Sequence, residues 1–146
     1  MCYTVRMNIT ILSVGKTKSQ HIAALEDEYV KRISGRFSCT RQYVKNEKEL
    51  VGALASVRGV IVLMDEHGSL MTSREFASYL ERQALGTQHL VFVIGDAAGF
   101  SEEVRAFDAD VVALSEMTFP HEIARAMLCE QIYRAQTILD GHPYHK

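Results

Sequence analysis

The chain has 146 residues, 47% hydrophobic and 23% charged, which is enough apolar material for one core and too little length for two ordinary domains. A formal net charge of −2 excludes a protein that holds nucleic acid by bulk electrostatics, so any RNA contact must come from a local patch. The longest apolar runs, residues 59–64 and 90–95, fall far short of the roughly 20 residues that cross a bilayer, which argues against a membrane span.

Residues 1–6 lack the apolar stretch and small-residue cleavage site of a signal peptide, and Met7 opens a strand-like run. They read as a dispensable extension of a single domain, 1–146. Cys2, Cys39 and Cys129 are far apart, odd in number and without a Cys-x-x-Cys spacing, so neither a disulfide framework nor a zinc site is encoded, and a reducing cytoplasm is expected.

In chain order the apolar periodicity predicts a strand at 8–14, a helix at 19–33, a strand at 37–44, a helix at 47–57 and a strand at 60–64. A helix at 73–85, a strand at 90–94, a helix at 101–107, a strand at 111–114 and a long last helix at 120–139 follow. Regular alternation of this kind predicts an α/β fold, a mostly parallel sheet with helices on both faces. The runs 60–64 and 90–94 are continuously apolar and belong in the middle of the sheet, whereas 37–44, with Arg41 and Gln42, belongs near an edge. Ligands of such sheets bind beyond the carboxyl ends of the strands, which directs attention to residues 15–18, 65–69, 95–100 and 115–120.

Gly15-Lys16-Thr17 resembles the end of a phosphate-binding loop, but Thr10 stands where the first glycine belongs, so a nucleoside triphosphatase is excluded. What remains is a small basic loop, Lys16 and Lys18, suited to a phosphate or to a solvated turn. Gly95 and Gly99 bracket a loop that precedes Ser101, a good helix cap, and serve either close backbone approach to a ligand or a plain tight turn. The loop from Leu114 to His121, with Met117 and Phe119, offers apolar walls and backbone amides suited to an adenine ring, or a simple connection. The last helix is apolar almost all round, which favours a subunit interface over a buried position, and Glu130 and Arg134 are spaced to pair along it. The ending His142-Pro143-Tyr144-His145-Lys146 offers too few ligands for a metal and, by position alone, reads as a frayed end.

Taken together, the opening 7–16, Ile94-Gly95-x-x-x-Gly99, Met117-Thr118-Phe119-Pro120-His121, Glu130-Gln131-Ile132-Tyr133-Arg134-Ala135 and His142-Pro143-Tyr144-His145-Lys146 carry a resemblance. From Met7 to Lys146 the chain resembles the small SPOUT-class ribosomal RNA large-subunit methyltransferase H family, which methylates N3 of a pseudouridine. The resemblance implies a C-terminal trefoil knot, a homodimer, S-adenosylmethionine as cofactor, and large-subunit ribosomal RNA within the assembled ribosome as substrate. It also implies cofactor contacts from Met64, Gly95, Leu114, Ser115, Glu116, Met117, Thr118 and Phe119. Arg134, Tyr144 and His145 become the catalytic candidates, with His142 as a substrate contact; apart from the resemblance, Lys16, Arg125 and Lys146 are expected as substrate contacts because basic groups converging locally would meet RNA despite the acidic net charge. No metal and no membrane are implied.

In this reading the imide N3 becomes a good nucleophile only on losing its proton, so His145 is expected to accept it and Arg134 to stabilise the charge left on the carbonyls. The chain departs from the family at Asp96 and Ala97, where relatives carry glycine and then proline or serine, and in a short segment between Val44 and Val60. Asp96 therefore motivates a rival reading, a knotted RNA- or nucleoside-binding module without transfer activity. A monomeric nucleotide-binding α/β domain is the second rival.

Overall fold

The computed structural model describes residues 6–145. Five strands run in parallel: β1 (Met7–Val14), β2 (Phe37–Val44), β3 (Val60–Leu70), β4 (His89–Ile94) and β5 (Ala109–Ala113). Their order in the sheet is β2-β1-β4-β3-β5. The helices are α1 (Gln20–Arg32), α2 (Glu47–Ala55), α3 (Ser73–Gly86), α4 (Glu102–Arg105) and α5 (His121–Leu139).

Each strand splits its side chains between two cores, and the helices cover both. On β4, Leu90, Phe92 and Ile94 enter a core closed by Phe76, Leu80, Leu128 and Ile132 of α3 and α5. Val91 and Val93 enter the other, closed by Leu50 and Leu54 of α2 and Val104 of α4. That two-sided burial explains why β4 reads as an unbroken apolar run. β2 lies at the sheet's edge, as its polar residues require, with Thr40 and Gln42 exposed.

Helix starts follow local chemistry. Ser19, Asn46 and Ser101 each accept a backbone N–H as N-caps of α1, α2 and α4, and Thr72 forms a reciprocal capping box with Glu75 at α3. α5 starts after Pro120 without a side-chain cap. Its first turn is instead tied outward, because the Glu122 carboxylate accepts from the backbone N–H groups of Lys18 and Ser19.

Two departures from the sequence expectation matter for the site. β3 runs to Leu70 rather than stopping at 64, and its pairing with β5 slips: both Met64 and Ser69 sit opposite Val112, which leaves Asp65–Gly68 bulged off the ladder. Gly68 permits the crossing, because a Cβ there would lie 2.8 Å from the Val111 carbonyl and the Val112 nitrogen. Secondly, α5 is packed inside the chain between α1 and α3, so Ala126, Leu128, Cys129, Ile132 and Ala135 are buried without a partner. Much of the apolar character that suggested an interface is thereby used internally. Ile123 remains 42% exposed.

Arg125 is also relocated. It is fully buried, pairs with the equally buried Glu26 at 3.2 Å, donates to Thr17 Oγ1 and the Gly15 carbonyl, and stacks over Tyr43 at 5.2 Å. A guanidinium with every edge engaged inside the protein does not present its charge to RNA. The expectation of an Arg125 substrate contact is corrected accordingly.

Candidate functional site

The carboxyl ends of β3, β4 and β5 enclose a cleft of about 750 Å³, within the usual range for small-molecule sites. Three loops and the first turn of α5 form its walls. From β3 come Met64 and the bulged Asp65, Glu66 and His67; from β4, Ile94 and the Gly95–Phe100 loop; from β5, Leu114, Ser115, Met117, Thr118 and Phe119. Seven of the eight residues expected to contact a cofactor therefore line one cleft. Glu116 does not line it and is exposed.

The glycine loop is built for close packing. A Cβ on Gly95 would come within 3.0 Å of Phe100 Cε1, so the Phe100 ring occupies space that only glycine leaves open. Asp96 folds back on its own turn: its Oδ1 accepts from Ala98 N at 2.9 Å and its carbonyl from Gly99 N at 3.1 Å, with Gly99 at φ 79°. The carboxylate that departs from the family pattern is thus a turn former.

Two side-chain links cross the cleft rim. Arg105 of α4 bonds Asp65 and lies over Phe100, and Thr118 donates to Glu66, joining the β5 loop to the β3 bulge. Burial tends to raise the Asp65 carboxyl, but hydrogen bonds from the His67 amide, Arg105 and the His67 ring outweigh it and hold the group below the usual carboxylate range. Asp65, Glu66, His67 and Arg105 were not singled out from the sequence. The loop holding the first three was, as a strand end, but its bulge has no local signature, and Arg105 lies apart from it on α4.

The tail is ordered through Tyr144 and His145. The His142 N–H donates to the Thr137 carbonyl at 2.8 Å past a left-handed Gly141, and Tyr144 N–H donates to His142 Nδ1 at 3.2 Å. Tyr144 packs edge-on against Tyr133 with centroids 4.8 Å apart, and its hydroxyl donates to Glu130 at 3.1 Å. Burial, then hydrogen bonds to Tyr29 and Glu130, push the Tyr144 phenol up, so it stays protonated and acts as a donor. Glu130 also accepts from Arg134 Nε at 2.8 Å, and Arg134 Nη1 meets His145 Nδ1 at 3.0 Å.

Arg134, Tyr144 and His145 therefore converge on one spot, and Glu130, read from the sequence only as a helix pair, is its hub. Of the remaining substrate candidates, His142 is exposed beside this spot, Lys16 is exposed at the end of β1, and Lys146 lies outside the described residues. The spot is not the cleft: Arg134 lies 13 positions along α5 from His121, at the cleft, which is about 20 Å along the helix. Among the described residues no His, Cys, Asp and Glu side chains group to hold a metal ion, and no helix is long and apolar enough to cross a membrane.

Comparison with known proteins fits this geometry. The Ribosomal RNA large subunit methyltransferase H of Koribacter versatilis is 40% identical over 144 residues, covering 95% of this chain and 98% of its own. The protein of the same name from Bacteroides thetaiotaomicron is 39% identical over 155 residues, covering 95% and 99%. Among solved structures, a probable methylase family protein from Haemophilus influenzae superposes with a TM-score of 0.56 at 11% identity over 92% of this chain and 67% of its own, a likeness of fold. The family model described as "Predicted SPOUT methyltransferase" matches residues 7–145, and the chain belongs to that family.

Proposed function

We propose that the chain transfers a methyl group from S-adenosylmethionine to N3 of a pseudouridine in large-subunit ribosomal RNA, acting on assembled ribosomes in the cytoplasm as a homodimer with a C-terminal trefoil knot. The observation that carries the reading is the three-loop cleft at the ends of β3, β4 and β5. The ribosomal substrate is the one named for both relatives.

The residues present fit the cofactor. Met64, Leu114, Met117 and Phe119 give apolar walls for an adenine, the glycine loop lines the cleft from Gly95 to Gly99, and Ser115 and Thr118 offer hydroxyls. Asp65 and Glu66 add carboxylates suited to ribose hydroxyls or a positive centre. When bound, the cofactor supplies an electrophilic methyl group on a sulfonium.

The chain's own residues then have to prepare the nucleophile. Arginine can only donate, so in its contact with Arg134 the Nδ1 of His145 is an acceptor and the ring's proton sits on Nε2. Movement of Arg134 to a carbonyl oxygen of the base frees Nδ1 to take the N3 proton while the guanidinium meets the charge that develops. Tyr144 holds the tail to Glu130 during this exchange.

The separation along α5 supports a composite site, with the tail of one subunit reaching the cleft of the other. It also answers the acidic net charge, since positive groups need only converge locally. The rival reading of a disabled module rested on Asp96, and one oxygen of its carboxylate, Oδ1, is engaged in its own turn, which supports a role as turn former.

Calorimetric titration with S-adenosylmethionine and S-adenosylhomocysteine, with ATP as control, is the direct test. Saturable binding of the first two without the third, followed by methyl transfer to ribosomes, is expected. Binding of ATP, or absence of methylated pseudouridine after incubation with ribosomes, defeats the reading.

A further inference from the structure

Outside the cleft, two nearly identical units stand side by side. On α1, Arg32 donates Nε and Nη2 to Glu28 at 2.9 and 2.6 Å; on α5, Arg134 makes the same side-on contact with Glu130 at 2.8 and 2.6 Å. In each the carboxylate takes one edge of the guanidinium and fixes its plane, leaving the flat faces for aromatic rings. Arg32 lies 5.5 Å from the Tyr29 centroid and 5.6 Å from that of Tyr133, and Arg134 lies 4.8 Å from that of Tyr144. The units join where Tyr133 meets Tyr144 edge-on.

Exposed Glu–Arg pairs of this spacing contribute little to folding, and Arg32 keeps 43% of its side chain in solvent. The geometry is therefore poorly explained as a stability device. A planar cation backed by tyrosines is, by contrast, a surface on which an unpaired nucleobase stacks.

We infer that Arg32, Tyr29 and Tyr133 form a stacking platform for an unpaired ribosomal RNA base next to the target nucleotide. The inference rests on the proposed function, since it takes the tail as the place where the target is met. Tyr144 links the two units, edge-on to Tyr133 and with its hydroxyl 3.5 Å from that of Tyr29, so a group lying on the platform sits beside the place where His145 would meet the target. A neighbouring nucleotide satisfies that placement.

The test uses the full chain and assembled ribosomes purified from cells lacking the modification, so that the large subunit is met in its assembled context. Ribosome binding is measured without methyl transfer, beside S-adenosylmethionine titration and sedimentation. Arg32→Ala is expected to weaken ribosome binding about tenfold, the scale of one lost stacking contact, and to raise KM more than it lowers kcat. Arg32→Lys keeps the charge but not the plane and is expected to lose most of the same affinity. Cofactor affinity stays as in the unaltered chain.

Unchanged ribosome binding in both variants overturns the platform. So does weakened binding accompanied by dissociation in sedimentation, which assigns this face to a second copy of the chain. If the unaltered chain binds ribosomes with this Arg32 dependence yet methylates nothing, the platform stands and the proposed function fails.

Discussion

Arg134 Nη1 donates to His145 Nδ1 across 3.0 Å, and the same guanidinium is held from its other edge by Glu130. One arginine therefore sets both the position and the tautomer of the imidazole proposed as the proton acceptor. His145→Ala is expected to slow single-turnover methyl transfer by about 10²–10⁴-fold, the usual contribution of a positioned base, with cofactor affinity intact. Arg134→Lys keeps a charge but loses the fork, and is expected to slow transfer and to change its pH dependence. A His145→Ala protein with full rate and an unaltered pH profile removes the base assignment.

Glu130 bonds both Arg134 and Tyr144, and in the proposed reaction it is a positioning residue. Glu130→Gln keeps an acceptor for Tyr144 but removes the negative charge that pairs with Arg134. It is expected to lower kcat with a shifted pH profile and little change in KM. If Glu130 were only a helix staple, unfolding would change while the pH profile stayed fixed.

The buried Arg125 and Glu26 lead to a stability prediction. Neither side chain has measurable exposure, so removing Arg125 leaves the Glu26 carboxylate in the interior with only the more distant Arg41, at 3.7 Å, as a charged partner, and removing Glu26 leaves the buried Arg125 without one. Arg125→Met is expected to cost about 3–5 kcal/mol in urea unfolding, whereas Arg125→Met with Glu26→Leu should recover most of the loss. A double variant as unstable as the single one shows that the cost comes from the hydrogen bonds to Thr17 and Gly15 instead.

These contrasts show what was legible in the sequence. Strand and helix positions follow from local periodicity, and the central place of β4 follows from an apolar run with no polar face. The strand order and the slip between Met64 and Ser69 depend on distant partners, and nothing in Asp65-Glu66-His67-Gly68 announces a bulge. Arg125 misled because an arginine interrupting an apolar helix reads as a surface charge, and its carboxylate partner is 99 positions away on α1. The tail reads as frayed on position alone; motif resemblance corrected that, and the hydrogen bonds of His142 and Tyr144 give the physical reason. The cleft was legible because strand ends are where such sheets bind ligands.

Asp96 illustrates how a departure from a family pattern acquires meaning from geometry. Its Oδ1 bonds the Ala98 amide, so Asp96→Gly removes a turn contact together with a carboxylate on the cleft wall. Cofactor affinity measured by calorimetry is expected to stay equal or fall in Asp96→Gly and to be retained in Asp96→Asn, which keeps the acceptor. A clear gain in Asp96→Gly means that the carboxylate opposes the cofactor and revives the reading of a disabled module.

Glu122 ties the start of α5, at the edge of the cleft, to the loop after β1. Hydrogen bonds from the backbone N–H groups of Ser19 and Lys18, helped by the nearby His121 and Arg125 and opposed by burial, hold its carboxyl below the ordinary value. A carboxylate lowered in the folded state contributes stability that is present above its unfolded pKa and is lost as pH falls through the folded one. The unaltered chain is therefore expected to lose stability more steeply than Glu122→Gln as pH drops from about 5 to about 3, with the two curves converging at the acid end. Urea midpoints taken across that range read the difference. If the gap between the two proteins is the same at every pH, the ionised carboxylate is not what fastens α5, and the anchor must lie in the neighbouring Arg125 cluster.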